Sequence, residues 1–374
     1  MHAAKLIEQI KRREPDAAIM GFGGERMRSA GCEIIRDLRH LAFMGFQAVL
    51  LHWRDVHDNF CIASEKLLRA QPDALILIDY PSFNLQMVQF CKRHLPATKI
   101  YYYIPPKVWA WKKRRIHRIA KLCDRVLGIF PFEPDFYRQY GYECTYVGNP
   151  TVEEIGEVRA KTAALKEQRT KTDSQNEPRT KTDLHGTKTI AILPGSRRSE
   201  ISHCIERMLE AARRFEGYEI IVTAASGIEE CFYTPYLHAG ERVTRDTYGT
   251  LQTCSAAIVN SGTATLEAAL LGCPQVAVYH LACSKLIGLL RPIGQKMLFS
   301  IPYFTLVNII SGKEVIRECL ADEFTVENVS AELEQLLYNE AHKKEMFASY
   351  EHLYSVLGVS SASQRAAEII TSKP

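Results

Sequence analysis

Ala256-Ala-Ile-Val-Asn-Ser-Gly-Thr-Ala-Thr-Leu-Glu267-Ala-Ala269 decides how this chain is read. Four apolar residues, Ala256 to Val259, run into the polar junction Asn260-Ser261-Gly262-Thr263, and helix-forming residues follow. A short continuous apolar run that turns into a helix marks a strand buried on both faces of a parallel sheet. Ser or Thr at the junction can cap the helix, and Gly lets backbone N–H groups approach a ligand closely. Those N–H groups and the helix dipole favour an anion, so a phosphate or diphosphate is the natural guest. Glu267 lies a little over one turn inside the helix, where a carboxylate can accept bonds from ribose hydroxyls. Junctions of this kind are common, so taken alone the segment is equally well a capped helix with nothing bound.

The same unit recurs. Apolar runs at Ala17–Met20, Ala74–Ile78, Lys99–Ile104 and Arg125–Phe130 alternate with amphipathic helical segments in the first part of the chain. Thr189–Leu193, Glu219–Thr223, Ala256–Val259 and Gln275–Val278 do so in the second. Two blocks of alternating strands and helices give an α/β fold of two doubly wound parallel-sheet domains, and 374 residues suffice for both. The expected domains are residues 1–155 and 188–359, with a C-terminal helix within 360–374 returning to the first. Between them, residues 156–187 hold little that is strongly apolar beyond Val158, Leu165 and Leu184. They carry a near-repeat, Arg169-Thr-Lys-Thr-Asp173 and Arg179-Thr-Lys-Thr-Asp183. Such a segment cannot bury enough apolar surface to offset its ordering entropy and reads as a flexible polar insertion; the alternative is a solvated helix up to Gln168 followed by a loop.

Composition removes other classes. No stretch approaches the roughly 18 consecutive apolar residues of a membrane-spanning helix, and Met1-His-Ala-Ala-Lys5 offers no apolar signal core. Eleven scattered cysteines contain no C-x-x-C, which argues against a disulfide framework or a four-thiolate zinc site. Forty-seven basic and 43 acidic residues leave a net charge of +4, too balanced for a general nucleic-acid binder. There is no P-loop, no H-E-x-x-H and no D-x-D, so no metal and no cofactor are expected.

Further segments carry candidate chemistry. Leu193-Pro-Gly-Ser-Arg-Arg-Ser-Glu200 is a second glycine turn after an apolar strand. Gly195, Ser196 and Arg197 would stand with Ser261, Gly262, Thr263, Ala264 and Glu267 around one diphosphate, because ligands of open α/β sheets collect beyond the carboxyl ends of the strands. The planar fork of Arg197 suits phosphate oxygens; the plainer reading is a surface arginine in a loop. Leu75-Ile-Leu-Ile-Asp79 ends a strand on a carboxylate that is either a cap for the next helix or, if burial raises its pKa, a general base. Gly21-Phe-Gly-Gly24 is half a dinucleotide fingerprint and reads as a tight turn.

Trp109-Ala-Trp111-Lys-Lys-Arg-Arg-Ile-His-Arg118 sets two Trp beside five cations. It fits stacked nucleic acid, an anionic membrane surface, or a buried Trp cluster beside a solvated basic helix face. Leu41 to Trp53 is unusually apolar; Phe43 lies within it, and Phe46, Val49, Leu50 and Trp53 share one helix face. That stretch is either core or an interfacial membrane patch.

Taken together, these segments resemble the lipid-A-disaccharide synthase family, glycosyltransferases of the GT-B type. The resemblance rests on Gly24-Glu-Arg-Met27 with Ala30-Gly-Cys32, Leu41-Ala-Phe-Met-Gly45, Ile78-Asp-Tyr-Pro-Ser-Phe-Asn84 and Tyr103-Ile-Pro-Pro-Lys-Val-Trp-Ala-Trp111. It continues through Phe130-Pro-Phe-Glu133, Leu193-Pro-Gly-Ser-Arg197, Ser261-Gly-Thr-Ala-Thr-Leu-Glu267, Leu306-Val-Asn308 and Glu314-Val-Ile-Arg-Glu318.

The resemblance implies two Rossmann-like domains facing a cleft, and transfer of 2,3-diacylglucosamine from its UDP conjugate to 2,3-diacylglucosamine 1-phosphate. The products are the β-1,6-linked disaccharide phosphate and UDP, formed with inversion, without metal, at the cytoplasmic face of the inner membrane. Asp79, Arg197, Asn308 and Glu318 match positions for catalysis, and Glu267 one for donor binding. Two departures stand out. Ser82 replaces the second Asp of the family's I-D-x-P-D-F. The strand and G-E-x-S-G-D loop that open family members do not precede His2, so the first domain is expected to lack its usual first strand and the native start to lie upstream. Alternatives are a UDP-sugar epimerase or another soluble enzyme of the same fold, and an inactive UDP-sugar-binding protein.

Overall fold

The computed structural model describes residues 2–37, 53–110, 113–173, 188–260, 262–280, 302–358 and 361–372. The chain divides into two compact units, Met1–Pro150 with Ser360–Pro374, and Thr151–Val359.

The first unit runs α1 (His2–Arg13), β1 (Met20–Gly23), α2 (Glu25–Ser29), β2 (Glu33–Asp37), α3 (Trp53–Ala70), β3 (Ala74–Ile78), α4 (Pro81–His94), β4 (Lys99–Tyr103), α5 (Arg115–Leu122), β5 (Arg125–Gly128), α6 (Glu133–Arg138) and β6 (Thr145–Tyr146). β1 and β2 pair in parallel as one sheet, and β3-β4-β5-β6 form a second, also parallel. On one side of β3-β4-β5, Leu6 and Ile10 of α1 pack with Tyr103, Leu127, Ala366 and Ala367. On the other, Val88 and Cys91 of α4 and Ile116 and Ile119 of α5 cover Leu77, Ile100, Tyr102 and Val126. Two covered faces are why these strands are nearly all apolar. The first strand lies three residues later than the apolar run suggests, at Met20–Gly23, with Gly24 at the N-cap of α2.

The second unit begins with α7 (Pro150–Asp173) and continues β7 (Thr189–Leu193), α8 (Arg198–Arg213), β8 (Glu219–Thr223), β9 (Arg242–Thr244), α9 (Thr247–Thr253), β10 (Ala256–Val259), α10 (Gly262–Leu270), β11 (Gln275–Tyr279), α11 (Leu306–Ser311), β12 (Glu318–Leu320), α12 (Val326–Tyr338) and α13 (Glu340–Leu357). The last helix, α14 (Ala362–Thr371), belongs to the first unit and packs on α1, where Arg13 Nε donates to Thr371 Oγ1 at 3.0 Å. The second sheet is fully parallel in the order β12-β11-β10-β7-β8-β9. Chain order reverses between β10 and β7, and that is the switch point at which open α/β sheets bind ligands. Every residue of β7 and β10 is buried.

The expected insertion is partly helix. α7 carries on through Asp173, with Val152 and Ile155 buried and Thr162 Oγ1 donating to Gln252 Oε1 at 3.3 Å. Residues 174–187, with the second copy of the near-repeat, lie outside the described residues. The membrane-patch candidates Phe43, Phe46, Val49 and Leu50 also lie outside them; Trp53 opens α3, but its side chain is not described.

Candidate functional site

In the second unit the two glycine turns leave adjacent strands. Leu193 ends β7 and pairs with Val259 at the end of β10. Beyond that pair, the Asn260 N–H donates to the Leu193 carbonyl at 2.8 Å, and its side-chain amide donates to Pro194 O, also at 2.8 Å. Gly195 has φ +120°, and a Cβ there would stand 3.2 Å from the Asn260 amide. Only glycine meets both constraints without strain.

Past that glycine, Ser196 N–H and Arg197 Nη1 donate to the two oxygens of Glu200, at 3.3 and 2.6 Å. Arg197 is the N-cap of α8, and its side chain is 57% exposed. An exposed ion pair of this kind contributes little, so the guanidinium can exchange Glu200 for an incoming anion cheaply.

Gly262 opens α10, and Thr263 is exposed at its tip. Ala264 is partly buried in the same first turn, while Ser261 lies outside the described residues. One turn further in, Glu267 meets the Tyr248 hydroxyl and the Glu154 carboxylate. Burial, and then Glu154, push the pKa of Glu267 up to about 7, although the Tyr248 hydrogen bond opposes the rise.

Asn308 and Glu318, which the resemblance places at catalytic positions, are joined in one hydrogen-bonded cluster. Asn308 is fully buried. Its amide nitrogen donates to Ile316 O at 2.8 Å and Glu318 Oε1 at 2.9 Å, and its Oδ1 accepts from Val315 and Ile316 N–H. Glu318 accepts from the backbone N–H groups of Phe304 and Thr305 and from Thr305 Oγ1. Together they hold the turn that starts α11 and seat Phe304 against Tyr279.

In the first unit, three non-glycine residues with positive φ gather at the carboxyl ends of β3 and β4: Asp79 (48°), Tyr80 (42°) and Ile104 (57°). Such strain persists only where neighbours over-determine it, and here they do. The Asp79 N–H donates to Ile104 O at 3.2 Å. The Asp79 carbonyl accepts from Asn84 Nδ2 at 2.5 Å and from the Tyr102 hydroxyl at 2.9 Å. The carboxylate itself is exposed and accepts no hydrogen bond from the described residues. The capping alternative therefore fails: the N-cap of α4 is Tyr80, with no side-chain cap bond. The burial on which the general-base reading depended is also missing.

Lys107 stands nearby, reaching solvent yet crowded enough that burial lowers its pKa against the opposing pull of Asp79 and Glu133. Glu133 is fully buried. It accepts from the Ile129 and Phe130 N–H groups at 2.7 and 2.9 Å and from Trp109 Nε1 at 3.2 Å. Burial raises its pKa to about 7. Trp109, 4% exposed, is wedged edge-on against Phe130 and Phe132. Trp109 is buried, as the third of the readings of that segment expects. Ile116 and Ile119 face inward on α5 while Lys113, Arg114, His117, Arg118 and Lys121 face water; Trp111 and Lys112 lie outside the described residues.

Sequence reasoning missed Asn84, Lys107 and Glu133 as working residues although it quoted the segments containing them. Their tasks depend on neighbours distant along the chain. Glu154 and Tyr248 gave no signal: the first stands at the end of the segment read as the first domain, the second between two apolar runs of the second.

Comparison with known proteins gives the family and the fold. A family model described as lipid-A-disaccharide synthetase matches residues 1–371. The lipid-A-disaccharide synthase of Geobacter metallireducens is 32% identical over 99% of this chain and 93% of its own length. That of Myxococcus xanthus is 31% identical with the same coverage of both chains. Among solved structures, a putative UDP-N-acetylglucosamine 2-epimerase from Listeria monocytogenes superposes with a TM-score of 0.59 at 12% identity, covering 98% of this chain and 91% of its own. The calicheamicin glycosyltransferase CalG4 gives 0.56 at 12%, covering 98% and 93%. At such identities the two structures establish the fold and nothing finer.

Proposed function

The chain belongs to the lipid-A-disaccharide synthase family, and from that premise we propose how its residues divide the work. The reaction is the transfer of 2,3-diacylglucosamine from its UDP conjugate to 2,3-diacylglucosamine 1-phosphate, giving the disaccharide phosphate and UDP; the enzyme is a glycosyltransferase of GT-B fold. It takes a sugar-nucleotide donor and a sugar-phosphate acceptor.

The second unit handles the donor. Arg197 and the N–H groups at Gly262 and Thr263 receive the diphosphate, with Gly195 and Ser196 shaping the facing turn and Ser261 and Ala264 completing the junction. Glu267 accepts from the ribose hydroxyls. As the glycosidic bond to UDP breaks, negative charge grows on the diphosphate, and preorganised N–H groups with a guanidinium stabilise it there. The observation that supports this most is the tie between the two glycine turns at the switch point.

The first unit handles the acceptor. Asp79 takes the proton of the attacking primary hydroxyl while that oxygen bonds to the anomeric carbon from the face opposite UDP, so the centre inverts. The clamped backbone fixes the position of a carboxylate that accepts no hydrogen bond from the described residues, so its lone pairs are open to the acceptor's hydroxyl. Asn308 and Glu318, the other positions that the resemblance assigns to catalysis, hold the turn beside Tyr279. No step calls on a metal.

We place the enzyme peripherally on the cytoplasmic face of the inner membrane. Among the described residues no helix is long and apolar enough to cross a membrane. The basic face of α5 suits anionic headgroups, and Phe43, Phe46, Val49, Leu50 and Trp53 are the acyl-chain patch. The deciding assay offers the protein acylated and unacylated UDP-glucosamine with the acceptor phosphate. Disaccharide should form from the acylated donor; epimerised UDP-sugar in its place would overturn the reading.

A further inference from the structure

At the carboxyl end of β11 the hydroxyl oxygen of Tyr279 is buried and has no hydrogen-bond partner among the described residues. A buried hydroxyl without a partner costs about as much as a lost hydrogen bond, and in a native chain it calls for an explanation. Its neighbours supply one. The oxygen lies against the first residue of α10, where a Cβ built on Gly262 would stand 3.3 Å from it. The ring is fixed edge-on against Phe304, with centroids 4.3 Å apart, and the Phe304 N–H is pinned by Glu318 at 2.9 Å.

Burial above all, and then the carboxylates of Glu318 and Glu200, raise the pKa of the phenol. It therefore stays protonated and keeps an O–H to donate. Tyr137 also has an unpartnered hydroxyl, but within the packed core of the first unit. Tyr279 instead stands beside a helix tip and a glycine turn at the switch point of its sheet. A fixed O–H next to free N–H groups completes an anion site.

We propose that Tyr279 is a ligand-binding residue: its hydroxyl donates to a phosphate oxygen of the nucleoside diphosphate seated on the amino end of α10. This rests on the reading of that helix end as the donor's diphosphate site, and adds a side-chain donor opposite Arg197.

The test measures UDP binding by calorimetry for the full chain, Tyr279→Phe and Arg197→Ala, with the melting temperature of each free of nucleotide. Tyr279→Phe removes one oxygen and keeps the ring packing. UDP affinity should fall about tenfold, the size of one hydrogen bond to a charged group. The melting temperature should hold or rise, because an unsatisfied hydroxyl has gone. Affinity within about twofold of the wild type, with Arg197→Ala weakened, would leave the diphosphate site standing and remove Tyr279 from it. A melting temperature lowered by more than about 3 °C would also overturn the proposal, since the hydroxyl would then be serving the fold. If the wild type fails to bind UDP, or Arg197→Ala binds as well as wild type, the diphosphate reading itself fails and takes this proposal with it.

Discussion

The side-chain amide of Asn260 donates to the carbonyl oxygen of Pro194 at 2.8 Å, joining two loops that are far apart in the chain. Strand pairing already brings their roots together at Leu193 and Val259. The side-chain bond fixes what pairing leaves open, namely the direction in which each turn leaves the sheet. Because Gly195 presses against the same amide, the loop that carries Arg197 and the loop that opens α10 are set by one residue. Preorganisation of this kind lets N–H groups and a guanidinium act on a developing charge without first being gathered.

Asn260→Ala should therefore damage binding as well as stability. Losing one buried hydrogen bond costs about 1 kcal/mol, enough to lower the melting temperature by a few degrees. UDP affinity should fall about fivefold or more as the turns lose their common anchor. A variant that melts early yet binds UDP like the wild type would show that the tie serves only the fold.

Asp79→Asn should reduce kcat by about a hundredfold to ten-thousandfold, the usual contribution of a positioned base, with UDP affinity unchanged. Asn84→Ala leaves the carboxylate in place but removes the amide that holds the Asp79 carbonyl. It should lower kcat by about tenfold or more through a relaxed backbone. Steady-state kinetics on both variants check this; full turnover in Asp79→Asn would end the base assignment.

The two strand-to-turn junctions of the proposed donor site were legible for a physical reason. β7 and β10 are buried on both faces, so each reads as an unbroken apolar run, and their glycine turns stand out against the helices that follow. The order β12-β11-β10-β7-β8-β9 was not legible, because it pairs strands that are not consecutive. β12 was missed altogether: three residues beginning with Glu318 look nothing like a strand until their pairing with Ala277–Tyr279 of β11 is seen. For the polar stretch after residue 155 the solvated-helix alternative is the one the fold takes, and it runs five residues past Gln168 to Asp173, because Ala, Leu, Lys, Glu, Gln and Arg there are good helix formers. Asp79 shows the opposite limit: no pattern in Leu75-Ile-Leu-Ile-Asp79 announces a left-handed backbone, since Asn84, Tyr102 and Ile104 impose it.

Glu267 gives the site a pH dependence of known sign. In the proposed site a ribose hydroxyl donates to the ionised carboxylate, whereas without nucleotide burial and Glu154 raise the pKa of that group to about 7. UDP should thus bind more tightly as pH rises through that value and level off above it. The terminal phosphate of UDP titrates as well, so the readout is the difference between wild type and Glu267→Gln. The variant should bind about tenfold more weakly at pH 8 and approach the wild type near pH 6. A constant ratio across that range would separate Glu267 from the ribose.

In the proposed scheme, charge stabilisation by Arg197 and the α10 N–H groups leaves no task for a divalent cation. Turnover should survive excess EDTA unchanged, measured as UDP release. A loss of more than about tenfold, restored by Mg²⁺ or Mn²⁺, would replace this scheme with a metal-assisted one.

Glu133 makes a prediction about stability alone. Its carboxyl is fully buried, and its pKa is raised from 4.5 to about 7. Between those values the folded chain keeps a proton that the unfolded chain has released, so stability falls as pH rises across the window and is level beyond it. The fall is about 3 kcal/mol at most. Glu133→Gln cannot ionise. Its amide can still accept a backbone N–H but loses one of the three bonds made by the carboxyl, so it should be less stable than wild type near pH 5. As the wild type gives up its advantage, the two should converge toward pH 8. Urea unfolding followed by tryptophan fluorescence at four pH values measures the gap directly. Parallel curves for the two proteins would mean that Glu133 does not titrate in this window, and that the clasp between Trp109 and the turn at Ile129 and Phe130 is made by a permanently charged carboxylate.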